Sequence, residues 1–495
     1  GYFKNQGVDV MAFDDIYPEG HQGGVCIIMN GHRVATNGDI RLEATPGQWQ
    51  PVPKQLDRKL GDNSITATLC YPDSSRHLTG FNPMIYPDLH LIYTVNVESK
   101  GKNIEVTVDL DRPIPQEFIG KVGFNLEFFP GSLFGKPWIM DGQSGIFPQQ
   151  PNSPLMTTQP NYLHTGNYHD GKQSLADMDK LIGKGYSPIV ADDIISEPYA
   201  KGRKFTSRPD DPYNKVTIES LSGDLQLFDG RMNHNNGWFV LRSNIKPGVT
   251  KGAVKWIITP NVVADWMYQP VIQTSQIGYH PAQDKEAVIE MDIRDNRKET
   301  AQISRIDADG EKVVKNVTPA NWGKFLRYNY LKVDFTDVNE AGLYKIKYDT
   351  SVSPIFRIDN DVYARGVWQP VLEYFLPVQM CHMRVNEKYR VWHDCCHMDD
   401  AQMAPAHNHI DGYDQKEGLS KFKPGEVVPG VNIGGWHDAG DFDLRIESQA
   451  GESYILALAY EAFHPNLDVT SIDQINRVTE IHQPDGKNDL LQQVE

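Results

Sequence analysis

The stretches "HLIYTVNVE" (His90–Glu98) and "NIEVTVDL" (Asn103–Leu110) alternate apolar and polar residues with a period of two. Such alternation places every second side chain on one face of an extended chain, so each stretch predicts a β-strand with one buried face. The glycine-containing linker Ser99–Asn103 predicts a hairpin between them. Similar strand patterns occur in "GWFVLRSNIKPG" and "GAVKWIITP", whereas helical spacing is confined to short pieces such as "SLADMDKLIGKG". Residues 1–265 are therefore predicted to form a large N-terminal β-sandwich domain, whose role the sequence does not indicate.

A second β-rich unit is predicted over residues 270–358. In "AVIEMDI", the apolar residues Ala287, Ile289 and Met291 alternate with residues that face the other way. The stretches "LKVDF", "GLYKIKY" and "SPIFRI" follow, and the turn sequence "NEAG" separates the first two. Several short strands in about 90 residues fit an immunoglobulin-like β-sandwich.

The character of the sequence changes after Asp361. "DVYARGVWQPVLEYFLPVQMC" has helix-compatible apolar spacing, although Pro370 and Pro377 must break or kink a helix there. Glu447–Phe463 predicts a clearer helix, with an apolar stripe at helical spacing. This stripe consists of Ile455, Leu458, Ala459 and Ala462. The chain ends within another apolar stripe, "DLLQQVE", so we expect residues 361–495 to be the first part of a larger domain.

The composition excludes several classes of partner. The chain has 495 residues, a formal net charge of −17 and 39% hydrophobic residues, and no apolar run is long enough to cross a bilayer. A surface this acidic repels phosphate backbones and anionic lipids, so nucleic acid and membrane partners are not expected. Aromatic residues make up 10% of the chain, and neutral glycans remain compatible with both the charge and the rings.

The stretch "GGWHDAGDFDLR" (Gly434–Arg445) concentrates charge in a loop. Asp438 and Asp441 bracket Ala439 and Gly440, whose small side chains let a turn aim both carboxylates at one place. Two carboxylates beside one water can hold and deprotonate it, as general-base catalysis requires. Trp436 is a candidate apolar wall or sugar-stacking ring. The alternatives are a cap for the following helix or a calcium loop, although the spacing of the acids differs from that of an EF-hand.

Three motifs in this order resemble one family. "GGWHDAGDFD" is similar to the DAGD signature of glycoside hydrolase family 9, the cellulase family. "VIQTSQIGYHP" through "SPIFRIDNDVY" resembles the N-terminal immunoglobulin-like domain that precedes the catalytic domain in one branch of that family. "HDCCHMDDA" (His393–Ala401) resembles that branch's H-x-x-C-H…DA segment. The resemblance covers roughly Val271–Glu495, and residues 1–265 fall outside it.

The resemblance implies a multidomain protein in which residues 361–495 begin an (α/α)6 barrel. It implies an inverting hydrolase of β-1,4-linked glucan, with Asp441 as general base and Asp438 positioning the water. The family's acid is a Glu beyond the end of this chain, so the remaining part of the catalytic domain is an expected partner and the chain alone is expected to be inactive. Asp443 departs from the common pattern. It is expected either to alter the base's pKa by like-charge repulsion or to bind a substrate hydroxyl.

A cysteine–histidine cluster suggests a structural zinc site, because zinc takes thiolate and imidazole ligands in closed tetrahedral sets. The resemblance implies four ligands, Cys381, Cys396, His397 and His437. Three competing candidates are Cys395, His407 and His409. The alternative interpretation is a pair of buried thiols and a solvated histidine. Calcium is a further candidate cofactor at the acid pairs Asp399-Asp400, Asp192-Asp193 and Asp210-Asp211, although paired surface acids are usually only solvated.

The sequence therefore favours a secreted, periplasmic or cell-surface glycoside hydrolase that acts on a polysaccharide or oligosaccharide. Cellulose, xyloglucan and mixed-linkage glucan are the candidate substrates. A glycan-binding protein with a vestigial catalytic loop is the alternative from another class. An exo-acting, glucosaminidase-type enzyme is the alternative within the family.

Overall fold

A computed structural model describes most of the chain. The described residues are 2–5, 7–14, 24–42, 53–71, 89–152, 155–157, 194–232, 237–325, 328–399, 401–403, 407–408, 414–415, 420–438 and 442–495. The chain forms two compact units, Gly1–Tyr268 with Asn408–Asp414, and Gln269–His407 with Gln415–Glu495. Both are mostly β-sheet with few helices. Among the helices in the described ranges, none is both long enough and apolar enough to span a membrane.

The first unit is built from short antiparallel strands. They are β1 Tyr2–Asn5, β2 Val8–Ala12, β3 Val25–Met29, β4 His32–Leu42, β5 Lys54–Leu60, β6 Ser64–Tyr71, β7 Leu91–Lys100, β8 Asn103–Leu110, β9 Val122–Phe128, β10 Pro137–Met140, β11 Gln143–Ile146, β12 Leu155–Thr157, β13 Ile194–Ser196, β14 Ala200–Gly202, β15 Lys204–Ser207, β16 Val216–Ser220, β17 Leu225–Asp229, β18 Phe239–Asn244 and β19 Val254–Pro260. Its short helices are the 3-10 helices Gln116–Phe118 and Gly230–Met232 and the α-helix α1, Pro130–Leu133.

Two large sheets share one hydrophobic core in this unit. Their strand orders are β1-β2-β3-β4-β9-β18-β17-β14 and β11-β10-β15-β16-β19-β8-β7-β6-β5. The fully buried ring of Trp256 meets Phe124 of the other sheet edge-on, with ring centroids 5.0 Å apart. The predicted hairpin is confirmed, because β7 and β8 pair in antiparallel register with Lys100 opposite Asn103. The helix predicted in "SLADMDKLIGKG" lies outside the described residues.

The immunoglobulin-like region begins the second unit. Its strands are β20 Val271–Gln273, β21 Glu286–Asp292, β22 Ala301–Asp307, β23 Gly310–Val317, β24 Ala320–Phe325, β25 Tyr328–Asp334, β26 Gly342–Tyr348, β27 Ser351–Val352 and β28 Phe356–Ile358. One sheet has the order β20-β21-β25-β24, and the other has β23-β22-β26-β27 with β28 paired to β26. The predicted inward residues Ala287, Ile289 and Met291 are all buried between the sheets.

The rest of the second unit combines a small sheet with short helices. Its strands are β29 Arg384–Glu387, β30 Arg390–His393, β33 Thr470–Asp473 and β34 Val478–Ile481, and its helices are a π-helix Val371–Phe375, α2 Leu376–Gln379, α3 Ile446–Phe463 and α4 Asp489–Val494. Two short strands, β31 His407–Asn408 and β32 Asp414–Gln415, pair with each other, and each has one residue in the first unit. Strands pair in the order β30-β29-β34-β33. The sequence did not predict this sheet, and the start of an (α/α)6 barrel is not confirmed.

The longest helix was predicted nearly with its observed bounds, but its buried face was predicted only in part. Helix α3 spans Ile446–Phe463, one residue longer than expected. Two residues of the predicted stripe, Ile455 and Leu458, are 65% and 42% exposed. The residues that pack against the small core are Leu456, Ala459 and Tyr460, so Ala459 of the predicted stripe contacts it. Helical spacing identifies residues that share a face, but it does not identify the element that covers them.

Candidate active-site loop and metal centre

Four predicted metal ligands come together in the second unit. One donor atom from each of Cys381, Cys396, His397 and His437 lies within 4.8 Å of the others. Cys381 lies between helix α2 and strand β29, Cys396 and His397 follow strand β30, and His437 lies in the loop before α3. In the part of the chain that the structure describes, this is the one place where three or more Cys, His, Asp or Glu side chains are arranged to hold a metal ion.

The dimensions of this cysteine–histidine cluster fit a four-coordinate metal. The two sulfur atoms, of Cys381 and Cys396, are 3.6 Å apart, close to the roughly 3.8 Å that zinc–sulfur bonds of about 2.3 Å give in a tetrahedron. Cys381 Sγ lies 2.9 Å from His397 Nδ1, and Cys396 Sγ lies 3.1 Å from His437 Nε2. These sulfur–nitrogen distances need to lengthen by about half an ångström around an ion. The donor set and its spacing therefore suit a closed metal site.

Electrostatics also suit a neutral imidazole ligand. Burial, together with three nearby imidazoles, lowers the pKa of His437 to about 4. The ring is therefore neutral at pH 7, and its Nε2 lone pair can face Cys396 and an ion. Metal ligation requires this neutral form of histidine.

Backbone pairing joins the metal cluster to the candidate catalytic loop. The amide of Cys381 donates to the carbonyl of Gly435, and the amide of His437 donates to the carbonyl of Gln379, both at 2.8 Å. The buried His382 ring lies between two carbonyl oxygens, with Nδ1 2.8 Å from Gly434 O and Nε2 3.1 Å from His397 O. Sequence reasoning missed His382, although its position directly after Cys381 was an available signal. The loop before α3 is thus fastened to the Cys381 segment.

Of the three competing ligands, Cys395 is the one whose side chain the structure describes, and it does not enter the cluster. Cys395 is exposed, and its Sγ lies 3.9 Å from the carbonyl oxygen of Arg477. The side chain of His407 and the whole of His409 lie outside the described residues. Cys395 was a reasonable candidate because it and Cys396 are almost equally far in sequence from the other ligands. The side chains of these two neighbouring residues point in different directions, and only that of Cys396 reaches the cluster.

Calcium receives no support. The Asp211 carboxylate is already engaged by the side chains of Arg208 and Asn214. Its neighbour Asp210 joins no group of potential metal ligands among the described residues. The other predicted pairs lie wholly or partly outside the described residues, at Asp192-Asp193 and Asp400.

The candidate catalytic loop is described on both sides of its centre. Ala439, Gly440 and Asp441 lie outside the described residues. Asp438 is exposed, and its amide donates to the carbonyl of Asp443 at 2.9 Å. This hydrogen bond closes the loop across its base. Asp438 therefore presents its carboxylate toward solvent directly after the buried His437.

Arg445 links the two described carboxylates of this loop. Its Nε lies 3.1 Å from Asp438 Oδ2 and 2.9 Å from Asp443 Oδ2. The guanidinium compensates the repulsion between the two acids. Sequence reasoning treated Asp443 as an added negative charge or a substrate contact and did not pair it with a cation. Arg445, the nearest basic residue in sequence, was the available signal.

Trp436 supports the loop from inside the unit. Its side chain is only 7% exposed and packs in an apolar cluster with Leu372, Leu376, Leu467 and Leu490. The indole Nε1 donates to Gln493 Oε1 at 2.8 Å. Trp436 also lines a cavity of about 560 Å³. It was predicted as an apolar wall or a stacking ring for sugar; in this structure the ring packs mainly in the core, and its place on the cavity lining leaves the wall role as a prediction.

Comparison with known proteins supplies the family context. Residues 267–353 match the family described as the cellulase N-terminal ig-like domain. The resemblance to cellulases with an N-terminal Ig-like domain is confirmed. Endoglucanase D of Acetivibrio thermocellus is 22% identical over 216 residues, which are 43% of this chain and 30% of that protein. This chain thus covers less than a third of that relative's length.

Two solved structures of family 9 proteins are also similar. A Zn-binding triple mutant of the family 9 endoglucanase J30 is 22% identical, covering 43% of this chain and 37% of that chain with a TM-score of 0.32. A family 9 protein of Bacteroides ovatus is 20% identical, covering 45% of this chain and 37% of that chain with a TM-score of 0.33.

Proposed function

We propose that the complete protein is an inverting glycoside hydrolase that acts on a β-1,4-linked glucan such as cellulose, xyloglucan or mixed-linkage glucan. Asp441 is the general base, Asp438 positions the attacking water, and the acid is a Glu beyond residue 495. The observation that carries this proposal is the position of Asp438, whose exposed carboxylate directly follows the buried, clustered His437. An exposed carboxylate on an anchored backbone is what a water-holding group needs.

The role of each loop residue follows from its surroundings. An inverting enzyme separates its acid and base by roughly 6.5–9.5 Å, which leaves room for a water on the far side of the sugar. Asp438 is fixed by its amide bond to Asp443 and by Arg445, so its free oxygen keeps one direction. Asp443 directs its Oδ2 at Arg445 and its Oδ1 is buried, so we assign it mainly to holding that guanidinium.

We further propose that Cys381, Cys396, His397 and His437 hold a structural zinc ion. Zinc bound by four protein ligands would cross-link the Cys381 segment, the turn after β30 and the loop before α3. The ligand His437 adjoins Asp438, so the cluster restrains the backbone of the water-positioning residue without touching substrate. The two thiols and two imidazoles at the observed spacing support this assignment.

The test of the catalytic assignment uses the complete protein and a reducing-sugar assay on soluble glucans. Asp441→Asn should lower turnover at least about a hundredfold, because it removes the proton acceptor. Asp438→Asn should lower kcat about tenfold or more with a smaller effect on KM, because water positioning acts in the transition state. Asp309→Asn, in an exposed turn of the immunoglobulin-like region, is the matched control. Wild-type turnover by Asp441→Asn would overturn the assignment.

The zinc assignment has a sharp internal control. Cys396→Ser should lose stoichiometric zinc when purified protein is analysed by mass spectrometry for metals. Cys395→Ser changes the adjacent thiol, which lies outside the cluster, and should keep one zinc per chain. Equal zinc content in both variants would exclude this site.

One observation favours a second candidate function. One oxygen of the Asp438 carboxylate is taken up by the ion pair with Arg445, which leaves a single oxygen for a water, whereas a loop that only binds glycan needs neither oxygen for that role. In that case the protein binds glycan without hydrolysing it. Binding of soluble glucan by the complete protein without release of reducing ends would select this alternative.

Both candidate functions involve a polysaccharide, so we propose a secreted, periplasmic or cell-surface location for the protein. Fractionation of the source cells would test this location.

A further inference from the structure

Aromatic side chains line one face of the immunoglobulin-like region, away from its core. In β25, the buried Leu331 and Val333 alternate with Tyr328, Tyr330 and Lys332, which point to the other face. Strand β24, at the edge of this sheet, pairs with β25 and brings Phe325 opposite Tyr328. Directly opposed residues of antiparallel strands share a face. The outer face at this edge therefore carries neighbouring rings.

A β-bulge adds a tryptophan to this face. The register between β24 and β25 shifts between Asn321 and Gly323, which leaves Trp322 as the extra residue. Gly323 lies opposite Tyr330 with φ of 128°, a conformation that only glycine adopts readily, and it contributes no side chain. The Trp322 ring packs edge-to-face on Tyr330, with centroids 5.7 Å apart and planes at 88°.

The aromatic face, defined as Trp322, Phe325, Tyr328 and Tyr330, combines three rings in mutual contact with two rings that are mostly open to solvent. Trp322 and Phe325 are 58% and 56% exposed. Tyr330 is fixed by the contact with Trp322, by Tyr328 at 6.1 Å, and by its hydroxyl, which donates to Glu290 Oε2 at 3.0 Å. A ring held by its neighbours loses little conformational entropy when a ligand stacks on it. Exposed apolar groups that are clustered in this way mark binding surfaces.

We propose that the aromatic face binds a neutral β-linked glucan chain, independently of the catalytic loop. The choice of glucan rests on the proposed function, whereas the existence of the binding face does not. Sugar rings present apolar C–H faces that stack on aromatic rings, and their hydroxyls need polar partners. Beside the rings, Glu290 and the ion pair of Lys332 with Glu286 (2.7 Å) provide donors and acceptors.

Other occupants fit this face less well. The rings expose no more than about 500 Å² together, below the roughly 800 Å² per partner of a stable protein interface. Glu286 and Glu290 border the rings and the chain carries a net charge of −17, which disfavours an anionic polymer or lipid surface. A neutral chain that follows the strand edge remains the best match in size and charge.

The test is affinity electrophoresis of the 495-residue chain in gels containing soluble xyloglucan, barley β-glucan or hydroxyethylcellulose. Trp322→Ala should raise the dissociation constant at least about tenfold, and Trp322→Phe, which keeps a ring, should raise it less. Tyr389→Ala removes an aromatic ring that is 95% exposed elsewhere in the same unit and should bind like wild type. Thermal unfolding of each variant checks folding, and the exposed position of Trp322 predicts little change.

The outcomes separate this inference from the proposed function. In the complete protein, Asp438→Asn should lower hydrolysis of glucan but retain binding to the aromatic face, and this combination supports both proposals. Equal retardation of wild type and the Trp322→Ala variant would overturn the aromatic-face proposal even if the complete protein hydrolyses glucan. Concentration-dependent dimers that Trp322→Ala abolishes, seen by light scattering without glucan, would also overturn it in favour of a protein interface.

Discussion

The buried position of Trp436 gives a prediction that separates a core role from a sugar-stacking role. Trp436→Ala removes an indole that packs among four leucines and leaves Gln493 without its donor. Large-to-small changes of this kind cost about 4 kcal/mol. Trp436→Phe keeps most of the ring contact and loses the hydrogen bond, which costs about 1–2 kcal/mol. The loss should appear in the local stability of helices α3 and α4, which border this core.

Hydrogen–deuterium exchange measures that local stability without assuming that the whole chain unfolds in one step. For Trp436→Phe, amides of Ile446–Phe463 should exchange about tenfold faster, because 1.4 kcal/mol corresponds to a factor of ten. Exchange in the immunoglobulin-like region serves as the internal reference. Unchanged exchange together with weaker glucan binding would refute the core role and restore Trp436 as a sugar-stacking ring.

Three further predictions concern the loop, the metal and a buried acid. In the complete protein, Arg445→Gln should lower kcat about tenfold, because Asp438 and Asp443 lose their shared cation. Arg445→Lys keeps a positive charge and should retain more activity in the same assay. Identical kcat values for the wild type and both variants would contradict the positioning role of Arg445. Removing zinc with a chelator should speed amide exchange at residues 434–438 far more than in the immunoglobulin-like region, and readded zinc should restore the original rate; a chelator-insensitive loop would argue against a metal anchor. Burial raises the pKa of Asp39 from 3.8 to about 6, against the lowering effects of Arg41 and the Tyr93 hydroxyl. As the pH rises, the unfolded chain loses the Asp39 proton before the folded chain does, so the stabilising contribution of Asp39 is fully present below about pH 4 and is lost as the pH rises to about 6. Calorimetry between pH 4 and 7 should show this contribution disappear in Asp39→Asn, and an unaltered pH profile would contradict it.

Local patterns predicted the strands well because alternation and burial share a cause. "NIEVTVDL" forms a strand with the same bounds, Asn103–Leu110, and its alternate residues are buried. The immunoglobulin-like residues Ala287, Ile289 and Met291 behave in the same way. In both places one face of a sheet covers a core, and the sequence records which side chains face it.

Long-range pairing was beyond the sequence. Strand β29 pairs in parallel with β34, almost a hundred residues later in the chain, and the four residues "VTEI" of β34 carry too little periodicity to reveal this pairing. The burial of Ile455 and Leu458 in α3 was predicted incorrectly for a related reason. Helical spacing shows that residues share a face, but it does not show whether another element packs on that face. The pairing of Asp443 with Arg445 depends on how the loop turns, which charge counting along the sequence does not determine.

The candidate metal site was the most predictable part of the second unit. Cysteine and histidine are infrequent in this chain, which leaves few possible ligand sets. The set that the family resemblance implied does come together, with donor atoms within 4.8 Å of one another in Cys381, Cys396, His397 and His437. The sequence could not decide between Cys395 and Cys396 as the ligand, because the choice depends on which side chain points toward the cluster in the folded structure. The catalytic base Asp441 stays a prediction, since it lies outside the described residues.

Proton NMR of the products formed by the complete protein tests the central claim most directly. A β-1,4-glucan oligosaccharide is digested, and the anomeric signals of the new reducing ends are followed before mutarotation equilibrates them. Attack by a water held at Asp438 and Asp441 inverts the anomeric carbon, so the α-anomer should appear first. Early accumulation of the β-anomer, or no hydrolysis while binding persists, would contradict the account.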